Sequence, residues 1–225
     1  MDDVVLEQFP LFDDLSKEDK ELIATSFGQR RYRRGDVILD EDAAESTLFL
    51  IKDGKVKISL MGEEEREVIL SYLEAGDFFG EMSVLDGEPR SARVTAVEDT
   101  TALVGTREQF VAGLMDHPQI ALNLLVILSR RLRAADEQIE SLSFLDVQGR
   151  VARMLLDIAE REGQRVDAGM LIPVEMTRQD LANAVSTSRE TLTRVLTGFE
   201  RIKLIKLLRD RILIVDETRL RKKTL

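Results

Sequence analysis

Between residues 30 and 107, short β-favouring runs alternate with turn residues: DVILDED, TLFLIKDGKVKISL, REVILSYLEAGDFFG and SARVTAVEDTTALVGT. This pattern predicts many short strands. Gly35, Gly54, Gly62 and Gly76 fall at the corners between them, as in an antiparallel barrel or jelly roll. Within it IKDGKV predicts a hairpin, because Asp-Gly accepts positive φ in a tight turn. Ahead of the strands, LFDDLSKEDKELIATSF starts a helix at Ser16, with acidic residues following and apolar positions at Leu22, Ile23 and Phe27.

From Pro118 the period becomes helical. Ala121, Leu125, Leu128, Leu132, Ala135, Ile139 and Leu142 follow one another by alternating steps of 4 and 3. An apolar seam of this kind packs against its own barrel or pairs with a second copy as a coiled coil; its regularity favours the second. VQGRVARMLLDIAEREG is a second amphipathic helix, ending at Gly163, and a short strand follows near Leu171 and Ile172. Two short helices, TRQDLANAV and TSRETLTRVLTGFERIK, then precede two apolar runs around Arg209, Asp210 and Arg211, which predict a hairpin. Helix, helix and hairpin in this order describe a winged helix-turn-helix. The fold class is α+β. The expected boundaries are a strand-rich domain over 1–117, a long helix suited to dimerisation over 118–142 and a winged-helix domain over 143–225.

TSRETLTRVL, residues 187–196, carries the first candidate chemistry. Thr187 with Glu190 three residues on predicts a capping box, and Thr177 with Asp180 repeats it one helix earlier. Only a tight turn near Ser186 fits between the two starts. On a helical wheel Leu192, Val195, Leu196 and Phe199 form a buried stripe, and Arg189, Glu190, Thr193 and Arg194 a continuous polar face opposite it. Such a face at a helix start suits the major groove. Arg reads guanine O6 and N7, Glu accepts from the cytosine amino group, and Ser188 and Thr191 donate to phosphates. The plain alternative is a solvated surface with Glu190 paired to Arg194; the two caps, the tight turn and the basic hairpin favour DNA.

Charge agrees with that division. The chain carries -10 overall. Residues 171–225 hold 12 Lys and Arg against 7 Asp and Glu, or +5, which leaves -15 for residues 1–170. An acidic body with a basic end confines a polyanion to the C-terminal part, although RLRKKTL also reads as a solubilising tail. Cysteine is absent and His117, next to Pro118, is the sole histidine. A disulfide framework, a thiolate metal site and a multi-histidine site are therefore excluded. MDDVVLEQFP lacks the basic start and apolar run of a signal peptide. IALNLLVIL (120–128), broken by Asn123, is too short to span a bilayer. The expectation is a cytoplasmic protein with no membrane contact.

The second constellation is FFGEMSVLDGEPRSARV, residues 78–94. Gly80 permits close backbone approach, and Glu81 suits a ribose hydroxyl. EMSVL makes one helical turn whose N–H groups attract an anion. Arg90 offers a planar fork for a phosphate, with the Ser91 hydroxyl beside it. Together they describe a cradle for a ribose joined to a phosphate.

FGEMSVLDGEPRSA resembles the phosphate-binding cassette of cyclic-nucleotide-binding domains. FLDVQGRVARMLL and TRQDLANAVSTSRETLTRVL resemble the hinge and helix-turn-helix of the cAMP receptor protein and fumarate-nitrate reduction regulator family of bacterial transcription regulators. The likeness covers nearly the whole chain. It implies a homodimer with an N-terminal cyclic-nucleotide-binding β-roll, a long dimer helix through 118–142 and a C-terminal winged helix. Double-stranded DNA and RNA polymerase are the implied partners, and no enzymatic activity is. Gly80, Glu81, Met82, Arg90 and Ser91 match the ribose- and phosphate-binding segment. Arg189, Glu190 and Arg194 match base-reading positions, which implies a TGTGA-like half-site. Thr177, Arg178 and Gln179, with Ser188 and Thr191, complete the DNA-facing set.

One departure bears on the ligand. The family's cAMP responders hold adenine with a Thr–Ser pair on the dimer helix, four and five residues after an Arg. Arg131 matches that Arg, but the pair here is Ala135–Asp136. Asp136 can accept once from adenine or twice from guanine N1–H and N2–H, or stand solvated on the helix flank. The expected cofactor is cAMP without a metal; cGMP, another nucleotide and ligand-free DNA binding are the alternatives. The expected mechanism is two-state: ligand at Glu81, Arg90, Arg131 and Asp136 biases a hinge at 143–146 and sets the spacing of the two reading helices to about 34 Å. Two rivals lack support. A kinase or channel subunit needs docking or membrane segments, and a cupin-like enzyme needs histidines on its strands.

Overall fold

The computed structural model describes residues 6–62, 67–174 and 176–224. The first five residues, part of the stretch read as lacking a signal peptide, lie outside them, as does Leu225 at the end of the basic tail. By its internal contacts the chain forms two units, one up to Leu132 and one from Arg133.

In the first unit Ser16 caps α1 (Lys17–Ala24) as its pattern predicts, accepting from the Asp19 N–H at 3.1 Å. Next come β1 (Gly28–Tyr32), β2 (Val37–Leu39), β3 (Thr47–Asp53), β4 (Lys55–Met61), β5 (Glu67–Glu74) and β6 (Phe78–Phe79). A short helix α2 (Glu81–Asp86) leads to β7 (Arg93–Ala96) and β8 (Thr100–Thr106). They make two antiparallel sheets, in the orders β1-β8-β3-β6 and β2-β7-β4-β5. β3 is apolar without alternation because both of its faces are covered. Leu48 and Leu50 enter a core with Phe12, Phe78 and Phe110. Phe49 and Ile51 point the other way, among Val56, Phe79, Val94 and Ala102.

The expected IKDGKV hairpin is a correction. Asp53 and Lys55 stand in different sheets: β3 pairs with β6 and β8, whereas β4 pairs with β5 and β7. Gly54 does adopt positive φ, +96°. Its backbone turns the chain from one sheet into the other, so close to the β7–β8 connection that a Cβ would lie 2.6 Å from the Asp99 carbonyl oxygen. Asp-Gly supplies the bend without deciding which strand pairs with which.

Thr106 and Gln109 form a reciprocal capping box at the start of α3 (Arg107–Asp116). The long helix α4 (Pro118–Phe144) follows. Ile120 and Leu124 are buried in the barrel core, with Leu128 half-buried against it. Leu125, Leu132, Ile139 and Leu142 of the apolar seam are exposed by 60%, 64%, 61% and 44%. No single helix among the described residues is long and apolar enough to cross a membrane.

In the second unit Asp146 caps α5 (Val147–Glu162), accepting from the Gly149 N–H at 2.8 Å. After α5 come β9 (Gln164–Val166), β10 (Gly169–Pro173), α6 (Arg178–Ala184), α7 (Arg189–Arg201), β11 (Ile205–Leu207), β12 (Arg211–Ile214) and α8 (Glu217–Arg221). The strands form one sheet in the order β11-β12-β10-β9, so the expected strand and hairpin are both present. The basic C-terminal stretch is folded: Leu220 is fully buried, and Arg221 bonds Glu160 and Glu217 at 3.0 Å each.

Candidate functional site

Gly80 precedes α2 with φ +84°. No side chain fits there: a Cβ would lie 2.6 Å from the Thr47 carbonyl oxygen and 2.7 Å from Nη1 of Arg90. Glu81 opens α2 and is 6% exposed. Its charge is met by Arg131 of α4, which donates to Glu81 Oε1 at 2.9 Å and to the Phe78 carbonyl at 2.6 Å. The guanidinium also lies over the Phe78 ring, 4.5 Å from its centroid.

Arg90 is 4% exposed. Nη1 donates to the Gly80 carbonyl at 2.9 Å and to Ser83 Oγ at 2.6 Å; Nη2 donates to the Thr47 carbonyl at 2.8 Å and to Thr47 Oγ1 at 2.9 Å. Nε is buried with no partner. Burial pulls the guanidinium below its ordinary pKa, and the charges of Glu45 and Glu81 raise it again. The planar fork expected of Arg90 is therefore already committed to the protein. Thr47 and Ser83 escaped sequence reasoning. Ser83 lies inside the cradle segment, but Thr47 is 43 residues from Arg90 with no local signal.

Gly80, Glu81, Arg90 and Arg131 are thus brought together. Ser91 and Met82 are exposed beside them, with the Ser91 hydroxyl 3.6 Å from the Met82 sulfur. Ala135 and Asp136 belong to the second unit and are exposed on α4.

In the second unit Thr177 caps α6, accepting from the Asp180 N–H at 3.1 Å. Arg178 is half-buried, and Gln179 is tied to Asn183 at 2.8 Å. Four residues separate α6 from α7, and Ser186 takes the left-handed conformation there, φ +51°. The cap of α7 is a correction. Ser188, not Thr187, accepts the capping bond, from the Thr191 N–H at 3.2 Å. The Thr187 N–H instead closes the turn onto the Ala182 carbonyl at 2.9 Å. Arg150 of α5 braces this turn, donating to the carbonyls of Val185 at 2.9 Å and Leu145 at 2.9 Å.

Leu192, Leu196 and Phe199 are buried, with Val195 packed against their cluster. Arg189, Glu190, Thr193 and Arg194 are exposed on the opposite face. Among the described residues Glu190 and Arg194 do not form the i,i+4 ion pair of the solvated-surface alternative. Its own backbone N–H, the Ser188 hydroxyl and the Arg189 charge hold the Glu190 carboxyl below the usual range, so it is an acceptor at neutral pH. Lys206, Arg209 and Arg211 stand exposed on the hairpin.

Residues 29–117 match the cyclic nucleotide-binding domain family, and residues 149–223 the Crp-like helix-turn-helix domain family. The cyclic AMP receptor protein of Thermus thermophilus is 38% identical over 200 residues, covering 88% of each chain. The CRP-like cAMP-activated global transcriptional regulator of Mycobacterium tuberculosis is 33% identical over 189 residues, 84% of each. A mutant CooA from Carboxydothermus hydrogenoformans superposes with a TM-score of 0.83, covering 100% of this chain and 97% of its own at 24% identity, and shares the fold. A buried arginine beside Gly80 in one unit and a capped helix with an exposed polar face in the other lie within the two matched domains: the chain belongs to the CRP family of cyclic-nucleotide-binding, DNA-binding transcription regulators.

Proposed function

We propose that this chain is a cytoplasmic homodimeric regulator whose affinity for a TGTGA-like palindrome is set by a cyclic nucleotide, with cAMP the leading ligand. The observation that carries the reading is Arg90, a buried cation with an unpartnered Nε–H beside Gly80 and Glu81. A buried donor without a partner is costly. The residues present fit a nucleotide: one spare charge-assisted donor, a backbone cradle that only glycine allows, and a buried carboxylate next to both. When bound, the nucleotide supplies a phosphate monoanion, a ribose hydroxyl and a base edge. Arg90 and the N–H groups at the start of α2 hold the phosphate, with Ser91 at the rim and Met82 beside it. Glu81, oriented by Arg131, keeps its second oxygen for the ribose hydroxyl.

The relatives named for cAMP support cAMP. Asp136 favours a second reading: where the family's cAMP responders carry Thr–Ser, this chain offers a carboxylate after Ala135, which matches guanine N1–H and N2–H. The proposed division is a sensor domain over 1–117, a dimer helix over 118–142 paired through its exposed seam, and a DNA-binding domain over 143–225. Arg189, Glu190 and Arg194 read bases, and Thr177, Arg178, Gln179, Ser188 and Thr191 lie against the backbone. RNA polymerase is the further partner.

Fluorescence anisotropy of a palindromic TGTGA duplex at fixed salt, without ligand and with cAMP or cGMP, tests this. The expected result is tightening by roughly 5–150-fold with one nucleotide, lost in Arg90→Ala. Tightening by cGMP alone makes Asp136 the base selector. Equal tight binding in all three sinks nucleotide control and leaves only the DNA half.

A further inference from the structure

The chain has seven methionines and no cysteine, so methionine sulfur is the only sulfur a peroxide can meet. Thiolates, the usual first targets of that oxidant, are missing. Of the methionines among the described residues, Met61, Met154, Met170 and Met176 are half-buried, and the last three pack against the core of the second unit. Met82 and Met115 are exposed, by 52% and 77%. Met115 lies near the end of α3. Met82 is the second residue of α2, and its sulfur lies 3.6 Å from the Ser91 hydroxyl.

A thioether is a weak acceptor. The Ser91 hydroxyl is therefore held lightly, and its proton passes at little cost to a stronger acceptor such as a phosphate oxygen. Oxidation makes the same side chain polar. The sulfoxide oxygen carries the negative end of the S–O dipole and competes with the ligand for that hydroxyl.

We propose that Met82 is an oxidation site that lowers nucleotide affinity, its sulfoxide oxygen taking the Ser91 hydroxyl from the phosphate. The proposal rests on the reading of Gly80, Glu81, Arg90 and Ser91 as the nucleotide cradle. The oxidant is hydrogen peroxide. A lone pair of the Met82 sulfur attacks one peroxide oxygen, the O–O bond breaks and an S–O bond forms. The departing hydroxide takes the proton from the new S–OH group and leaves as water. Sulfur gives up two electrons and the peroxide gains them. The step is reversed by methionine sulfoxide reductases, so peroxide opposes the nucleotide signal for as long as the sulfoxide lasts.

The test treats the full chain with hydrogen peroxide, with peptide mass spectrometry following oxygen uptake at each methionine, and titrates it calorimetrically with cAMP and with cGMP. Whichever nucleotide the untreated chain binds is expected to bind roughly tenfold more weakly after treatment, the scale of one hydrogen bond. Reduction by methionine sulfoxide reductases should restore the affinity. Each variant is compared with itself before and after treatment. Met115→Leu should respond like the wild type, whereas Met82→Leu and Ser91→Ala should each respond little. Both of these side chains are exposed, so neither change threatens the fold. An unchanged affinity in the oxidised wild type, or a loss that persists in Met82→Leu or in Ser91→Ala, overturns the proposal. So does oxygen uptake at Met115 with none at Met82. Failure of the untreated chain to bind either nucleotide would instead overturn the reading of the cradle itself.

Discussion

Arg131 and Glu81, 50 residues apart, meet at 2.9 Å in an ion pair whose carboxylate is 6% exposed. Removing the guanidinium leaves a buried charge uncompensated. Arg131→Met is expected to lower the unfolding free energy by about 2 kcal/mol, below the usual range for a fully buried pair because the Arg131 side chain is 30% exposed. Adding Glu81→Gln should recover most of that loss. Denaturant titration of both variants decides it; equal losses in the single and double variants would mean that Arg131 matters through packing on Phe78.

Leu132 and Ile139 are exposed by 64% and 61% on the α4 seam, so neither holds the described fold together. For the proposed homodimer, Leu132→Glu with Ile139→Glu should convert dimer to monomer in sedimentation while far-UV circular dichroism stays unchanged. An unchanged sedimentation coefficient would place the dimer contact elsewhere.

Ser188 rather than Thr187 accepts the capping bond of α7. Ser188→Ala is expected to cost about 1 kcal/mol, read as a lower thermal midpoint, and Thr187→Ala distinctly less. The reverse ranking would restore the capping box expected from the pattern.

Glu190 projects from the first turn of α7, ionised and outside any ion pair with Arg194. Glu190→Ala should relax base preference at one position of the half-site, worth about 1–3 kcal/mol of discrimination, with little change in the salt dependence. Binding selection from a randomised duplex measures this, and an unaltered sequence logo would move the reading face off this residue.

Arg150 joins the carbonyl of Leu145, just after α4, to that of Val185 in the turn before α7. Arg150→Ala should loosen that turn. Hydrogen exchange of residues 185–188 is expected to speed up by about tenfold, on the scale of one charge-assisted bond, and DNA affinity to fall. Unchanged exchange would show that the turn holds itself.

The sequence was most informative where physical causes are local. The helical period of α4, the Ser16 and Thr177 caps and the buried stripe of α7 each depend on spacing within one helix, and each is found in the structure. Partner choice was not readable. Asp-Gly at 53–54 allows positive φ at Gly54, which serves a hairpin and a crossing between sheets equally. Thr187 and Ser188 are both competent caps one residue apart, and the choice falls to the Thr187 N–H, which the Ala182 carbonyl engages. Arg90 stood out as a phosphate ligand, but its restraint by Thr47 comes from the first residue of β3, 43 residues away. No residue near Arg90 in the chain reports it.

The crossing at Gly54 also governs how the protein is made. β1 pairs with β8, Gly28 against Val104, and β3 lies between β8 and β6. While a ribosome is still adding residues, β1 has no finished neighbour and β3 has only the two-residue β6, because their shared partner is the last strand of the barrel. β4 and β5 pair as soon as both have emerged, but the sheet that holds β1 and β3 cannot be completed one adjacent strand at a time. Closure must wait for residues 100–106 to emerge, and the nascent chain carries the uncovered apolar run of β3 until then.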